Sequence, residues 1–370
     1  MLKRYRIKDY DFRLVFMLIA LSIIGILAVG SAEKELQQKQ LMGFLLGLFL
    51  MVVISLFDYG VFLRFWWVMY AINAILLVLV LIIGVEVNNA TRWLDFGIQF
   101  QPSELAKIIL ILFFAKFIMK YEERISEIKI LLFAIILVVP VLLLIIKQPD
   151  LSTTIMVFIV FCTMFFVGGV SYKYVIGILS VAIPTITILF IYVLQPDQLL
   201  IEKYQRNRIM AWLHPEDYAT TEAYQQLNSI MAIGSGQLTG KGLNNNVVNS
   251  VKNGNFISEP QTDFIFTIIG EELGFIGSCL VVLLVVGIAM ECIHIAYKAK
   301  DMSGKIIAAG MGALVGFQGI LNMCVATGLM PNTGIPLPFV SAGLTSMVTL
   351  YVGMGFVLNV RLQAIRKYNN

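Results

Sequence analysis

The chain has 370 residues, 59% of them hydrophobic and 14% charged, with a formal net charge of +4. A soluble domain carries roughly 25% charged residues; here the polar side chains are too few to cover soluble surfaces and are bunched between long apolar runs, so the bilayer is the solvent for most of the chain. Cys162, Cys279, Cys292 and Cys324 all lie inside apolar runs with no close pair among them and His214 and His294 are far apart, which argues against the usual disulfide and zinc frameworks, and the modest charge gives no sign of a nucleic-acid partner.

Runs of about 20 apolar residues suit a spanning helix, and they fall near 14–31, 41–58, 61–84, 104–119, 129–147, 152–170, 174–194, 264–297, 305–329 and 338–360. The expected fold is therefore an all-α polytopic membrane protein of ten transmembrane helices, a single domain over 1–370. The first run follows a basic start and ends in Gly30-Ser31-Ala32, but it is longer than a signal-peptide core and reads as a retained anchor. Lys3, Arg4, Arg6, Lys8, Arg13, Arg64, Lys120, Arg124, Lys129, Lys173, Lys298, Lys300, Lys305, Arg361, Arg366 and Lys367 fall on one side of such a topology. Only Lys34, Lys39, Arg92 and Lys147 fall in the short loops opposite. Cytoplasmic loops carry the excess of Lys and Arg, so both termini are expected in the cytoplasm.

The long stretch 195–260, between spans seven and eight, is then extracytoplasmic. Its amphipathic patches at 201–213 and 222–233 read as short helices lying on the membrane surface. Gly234, Gly236, Gly240 and Gly242 surround Lys241, which reads either as a phosphate-holding turn or as simple loop flexibility.

Ionisable groups inside spans cost at least ~2.5–3.5 kcal/mol and are functional candidates. Glu104 and Lys107, three residues apart on one helical face, form either a neutralising pair that lets the helix insert or a functional one. Asp150, after Pro149, is placed as an N-cap or as a site residue. Asp263 opens the eighth run, with Glu271 and Glu272 about two turns deeper between Gly270 and Gly274; three acids within ten residues exceed what capping needs. That run is too long for one straight span, so a break near the glycines is expected, with its first part lining a cavity. Glu291 and His294 read as an interfacial pair. Pro331, Pro336 and Pro338 forbid a helix and fix a rigid loop.

These segments resemble the SEDS family, the RodA/FtsW/SpoVE group of peptidoglycan glycosyltransferases, and most of all RodA. Its motifs are matched by Arg92-Trp93-Leu94 with Gln101-Pro102-Ser103-Glu104-Leu105-Ala106-Lys107, by Gln148-Pro149-Asp150-Leu151 and by Tyr204-Gln205-Arg206-Asn207-Arg208. Further matches are Gly234-Ser235-Gly236 through Gly240-Lys241-Gly242, Thr262-Asp263-Phe264-Ile265-Phe266, Gly270-Glu271-Glu272-Leu273-Gly274 and 333–341. Two departures stand out: Ala342-Gly343-Leu344-Thr345-Ser346 replaces a Tyr-Gly-Gly-Ser-Ser run, and Ser152 replaces a glycine. The resemblance implies transfer of a disaccharide-peptide between lipid II molecules at the outer face of the bacterial cytoplasmic membrane, releasing undecaprenyl pyrophosphate. Asp263 is the expected general base. Arg92, Arg206, Arg208, Lys107 and Lys241 are expected on the pyrophosphate, with Glu104, Asp150, Glu271 and Glu272 in support. It also implies lipid tails in apolar grooves and a class B penicillin-binding protein (transpeptidase) as partner, and it leaves open a divalent cation (Mg or Mn) as cofactor. The rival readings are a lipid-precursor flippase or transporter, against which stand the missing internal repeat and the clustering of polar groups at one end, and a non-catalytic scaffold for a transpeptidase, which has no use for Asp263.

Overall fold

The computed structural model describes residues 9–87, 90–95, 97, 99–195, 198, 201, 203–244, 250, 254 and 256–369. Lys3, Arg4, Arg6 and Lys8 lie outside them. In chain order the elements are α1 (Phe12–Ala32), α2 (Lys34–Leu56), α3 (Tyr59–Arg64), α4 (Trp66–Ile83), β1 (Val85–Val87), β2 (Ala90–Asp95), β3 (Gln99–Phe100), α5 (Pro102–Lys120), α6 (Ile128–Ile146), α7 (Leu151–Val167), α8 (Tyr172–Val193), α9 (Lys203–Leu213), α10 (Tyr224–Ser235), α11 (Ile265–Tyr297), α12 (Met302–Ala326) and α13 (Leu344–Asn369).

Among the described residues, eight helices are long and apolar enough to cross a membrane: α1, α2, α4, α6, α8, α11, α12 and α13. Two other expected spans are also helical. Of these, α5 carries Glu104, Lys107, Lys116 and Lys120, and α7 has 17 residues. The polytopic helical architecture is thus as expected. Helix starts follow the acids: Asp11 accepts from Leu14 N at 3.2 Å, Asp150 from Thr153 N at 3.1 Å and Asp301 from Gly304 N at 2.8 Å, each satisfying an amide that the helix itself leaves unpaired. Pro102 stands at the start of α5, where its missing N–H costs nothing.

Several boundaries differ from expectation, among them the start of α2, at Lys34 rather than 41. The third run is two helices, α3 and α4, meeting at Phe65. The last span starts at Leu344 rather than 338, because Phe339 (φ 63°) and Gly343 (φ 159°) leave the helical region and 337–343 folds as a turn. The segment between α4 and α5 is a small antiparallel sheet, ordered β1-β2-β3, with Val85 opposite Trp93 and Leu94 opposite Phe100. Such short strands carry too little alternation to stand out in the sequence.

α12 is the central helix and packs against α5, α7, α10, α11 and α13, whereas α8 turns nearly all its apolar surface outward. The two patches between α8 and α11 are indeed helices, α9 and α10. Of these, α10 packs on α11 and α12. Its buried polar residues explain why: Gln226 Nε2 donates to Val325 O (2.8 Å) and Met330 O (2.7 Å), and Ser229 Oγ donates to Ala326 O (2.7 Å). These bonds tie α10 to carbonyls at the end of α12 and in the turn after it.

The expected break in α11 is at Gly274, with φ 64° and ψ −161°. Straight, its 33 residues would extend about 50 Å. A break there parts the helical bonds from Phe275 N to Glu271 O and from Ile276 N to Glu272 O. The glycine-rich segment supplies all four replacements. Gln237 O and Leu238 O accept from Phe275 N (2.8 Å) and Ile276 N (3.2 Å), while Lys241 N and Gly242 N donate to Glu271 O and Glu272 O, both at 3.0 Å. Side chains would block this approach: a Cβ on Gly236 would meet Gly270 O at 2.0 Å, and one on Gly240 would meet Glu272 O at 2.2 Å.

Candidate active site

Asp263 lies in the turn that leads into α11 and is half-buried. The turn is tied to the proline-rich loop by its backbone: Ser341 Oγ donates to Thr262 O (2.6 Å) and Ala342 N to Gln261 O (2.8 Å). Asn322 of α12 donates to Asp263 O at 2.7 Å. Gly334 of the loop comes so close that a Cβ on it would sit 3.3 Å from Asp263 Oδ2, and its φ of 69° is one that glycine adopts without strain.

Burial pushes the Asp263 carboxyl up from 3.8 to about 6. Arg208 and Arg92 pull against that rise, and Glu259 and Asp150 add to it. Those influences place four charged groups from four segments within electrostatic reach of one carboxyl: Arg92 on β2, Asp150 before α7, Arg208 on α9 and Glu259 ahead of the Asp263 turn. Arg92 is held by Gln148 O (3.2 Å from Nε) and by Pro149 O, which fixes it beside Asp150. Asp150 is buried, capping α7 with Oδ1 and receiving Gln101 Nε2 on Oδ2 at 3.4 Å. Arg208 is exposed on α9.

The remaining expected site residues have partners of their own. Arg206 donates to Gln195 O (3.1 Å) and Leu194 O (3.0 Å), closing the end of α8. Lys241 pairs with Glu271 at 2.7 Å, and its backbone N–H is spent on α11, so the glycine run clasps the helix break. Glu271 and Glu272 do not line an open cavity: they are 2% and 3% exposed, and Ser31 Oγ donates to Glu272 Oε1 at 2.5 Å. Glu104 and Lys107 form a buried pair at 2.7 Å; Ser346 Oγ donates to Glu104 Oε2 (2.9 Å) and Lys107 donates to Gln318 Oε1 (3.2 Å).

Sequence reasoning missed Glu259, Gln318 and Asn322. Glu259 is signalled only by lying four residues before Asp263. The two amides are uncharged and so escape a search for ionisable groups inside spans. Ser152, one of the two departures from the family motifs, donates to Thr333 O and so ties the start of α7 to the loop beside Asp263. Among the described residues no three His, Cys, Asp or Glu side chains stand together as metal ligands.

A family model described as cell cycle protein, covering FtsW, RodA and SpoVE, matches residues 10–365. A probable peptidoglycan glycosyltransferase FtsW from Trichlorobacter lovleyi is 33% identical over 373 aligned residues, covering 97% of this chain and 94% of the relative. The peptidoglycan glycosyltransferase MrdB of Escherichia coli K12 is 32% identical over 355, covering 95% and 93%. Among solved structures, a chain of a peptidoglycan synthase complex that coordinates polymerization and crosslinking aligns with a TM-score of 0.78 at 27% identity, over 96% of this chain and 98% of that one. The rod shape determining protein RodA of Thermus thermophilus aligns at 0.69 and 26%, over 95% and 96%.

Proposed function

The chain belongs to the FtsW/RodA/SpoVE family and is a peptidoglycan glycosyltransferase, and from that premise we propose that it polymerises lipid II with Asp263 as general base and Arg92 and Arg208 on the departing diphosphate. The observation that carries this reading is the convergence of a carboxyl poised near 6 with two arginines brought in on separate elements. Identity to FtsW and to MrdB is level, so the resemblance extends to the family and not to one branch.

In the proposed reaction the acceptor sugar hydroxyl attacks the anomeric carbon of the donor sugar. Its proton passes to the Asp263 carboxylate, and the bond from that carbon to undecaprenyl pyrophosphate breaks with its electrons moving to the diphosphate. A base whose pKa lies just below the working pH is mostly ionised there and still has proton affinity to use. The leaving group is already stable and asks for charge rather than a proton, which guanidinium groups supply through forked hydrogen bonds. A magnesium or manganese ion travelling with the diphosphate would share that charge, held chiefly by phosphate oxygens and water, as such ions commonly are.

The excess of Lys and Arg at the opposite end supports both termini in the cytoplasm, which sets Asp263 at the outer face of the cytoplasmic membrane, where the polymer is needed. The polyprenyl tails would remain among the apolar flanks of the bundle. The kinship with a synthase complex that joins polymerization to crosslinking supports a class B penicillin-binding protein, a transpeptidase, as partner. The deciding experiment is polymerisation of purified lipid II by purified protein, wild type against Asp263→Ala. Glycan chains from the wild type alone support the assignment. Chains from both remove Asp263 from the chemistry, and chains from neither, with a transpeptidase partner supplied, refute polymerase activity.

A further inference from the structure

The turn that carries Asp263 precedes its helix, so α11 alone cannot fix it. The rigid reference is α12, and two of its side chains reach across. Gln318 and Asn322 lie one turn apart and are 0% and 1% exposed. Asn322 has one amino group with two hydrogens, and it donates to two segments: Asp263 O and Ile335 O, each at 2.7 Å. Its orientation is forced, since the flipped amide would turn its oxygen toward two carbonyls. Gln318 Nε2 donates to the next residue of the loop, Pro336 O, at 3.0 Å, while its Oε1 accepts from Lys107 at 3.2 Å. A continuous hydrogen-bonded line therefore runs from Ser346 through Glu104, Lys107 and Gln318 to the loop at Pro336, and from Ile335 through Asn322 to Asp263.

We infer that Asn322 is a positioning residue for glycosyl transfer, locking the Asp263 turn to the loop that faces its carboxylate, and that the Glu104–Lys107 pair acts on the reaction through Gln318 and that loop rather than by touching diphosphate. The inference rests on the reading of Asp263 as the base. Burial supports it: Lys107 is 5% exposed, with Glu104 and Gln318 both on its ammonium. So does the closeness of Gly334, because a shift of the loop changes what surrounds Asp263 Oδ2.

The test compares wild type, Asn322→Leu, Gln318→Leu, Lys107→Met and Asp263→Asn as purified full-length proteins, supplied with the same transpeptidase partner if the wild type needs one. Asn322→Leu keeps the branched outline, slightly enlarged, and removes both donors. It should lower kcat roughly 10- to 100-fold, the scale of a small misplacement of a reacting group, with KM for lipid II within about twofold. It should also move the acidic limb of the pH profile downward as water reaches the loosened carboxyl. Gln318→Leu should act in the same direction, and adding Lys107→Met to it should cost little more, since both break one line. If Asn322→Leu does not fold, Asn322→Ser, which keeps one donor, should show an intermediate kcat with the same KM. Wild-type kcat in the Asn322 variants, a rise in KM with kcat intact, or additive losses for Gln318 and Lys107 would overturn the inference. Activity in Asp263→Asn would instead overturn the reading of the base, whatever the Asn322 variants do.

Discussion

Asp263→Asn separates chemistry from stability with opposite signs. Taking the carboxyl from 3.8 to about 6 disfavours its ionised form by about 3 kcal/mol relative to water, at 1.36 kcal/mol for each step of ten in the proton equilibrium. The folded state binds the proton more tightly than the unfolded chain does. The contribution of Asp263 to stability is therefore complete below about pH 4, fades as pH rises toward 6 and is lost above it. Asparagine has the same shape and no charge to desolvate. The variant should be more stable than wild type at pH 7.5 by up to about 3 kcal/mol, a gain that vanishes near pH 4, while making no glycan. The assays are thermal unfolding in detergent micelles across pH 4–8 and lipid II polymerisation over the same range, where wild-type activity should climb through pH 6 to a plateau. A variant less stable than wild type at pH 7.5, or wild-type activity indifferent to pH between 5 and 7, would refute the argument.

Neighbouring charges should move that acidic limb by sign: Arg208→Gln upward in pH, because the arginine lowers the carboxyl, and Glu259→Gln downward, because the glutamate raises it; a pH profile of kcat/KM for each variant checks both. Lys107→Met leaves Glu104 buried without its cation and should cost roughly 3–5 kcal/mol, most of it recovered by adding Glu104→Gln; unfolding of the single and double variants reads this as a coupling. Gly274→Ala should destabilise the fold and abolish polymerisation, since its Cβ would lie 2.3 Å from Gly240 N at a φ of 64°; a variant with the wild-type melting temperature would contradict the clasp.

The bilayer makes most of the architecture readable, because apolar length and glycine placement are local properties. The runs marked the helices, and Gly274 marked the break. Asp263 was readable for the same reason, as an acid at the mouth of an apolar run. Partnerships were not readable. Nothing local to Arg206 says that it closes the end of α8 while Arg208, half a turn on, comes within reach of Asp263. Lys107 reads as the partner of Glu104, and nothing local shows that α12 packs against the pair and that Gln318 Oε1 accepts a hydrogen bond from the ammonium. The last span was set six residues early because Pro338–Gly343 is apolar enough to pass for helix, and only Phe339 and Gly343, in conformations no helix has, keep it a turn.

The break in α11 gives a physical reason for the chemistry to be where it is. In hydrocarbon every backbone polar group needs a partner, so a helix can be interrupted only where another segment replaces the lost bonds, and the segment from Gln237 to Gly242 replaces both of them. That requirement accounts for the glycines on each side, since backbone must lie directly on backbone. It also frees the short segment from Ile265 to Leu273 from the direction of the longer helix below it. The Asp263 end can then lean against α12 and the proline-rich loop, the surroundings that raise its carboxyl and bring Arg92 and Arg208 within reach. A straight α11 would put the same aspartate on the axis of a lipid-facing helix. On the proposed reading of Asp263 as the base, the glycine run would serve catalysis by allowing the helix behind it to bend.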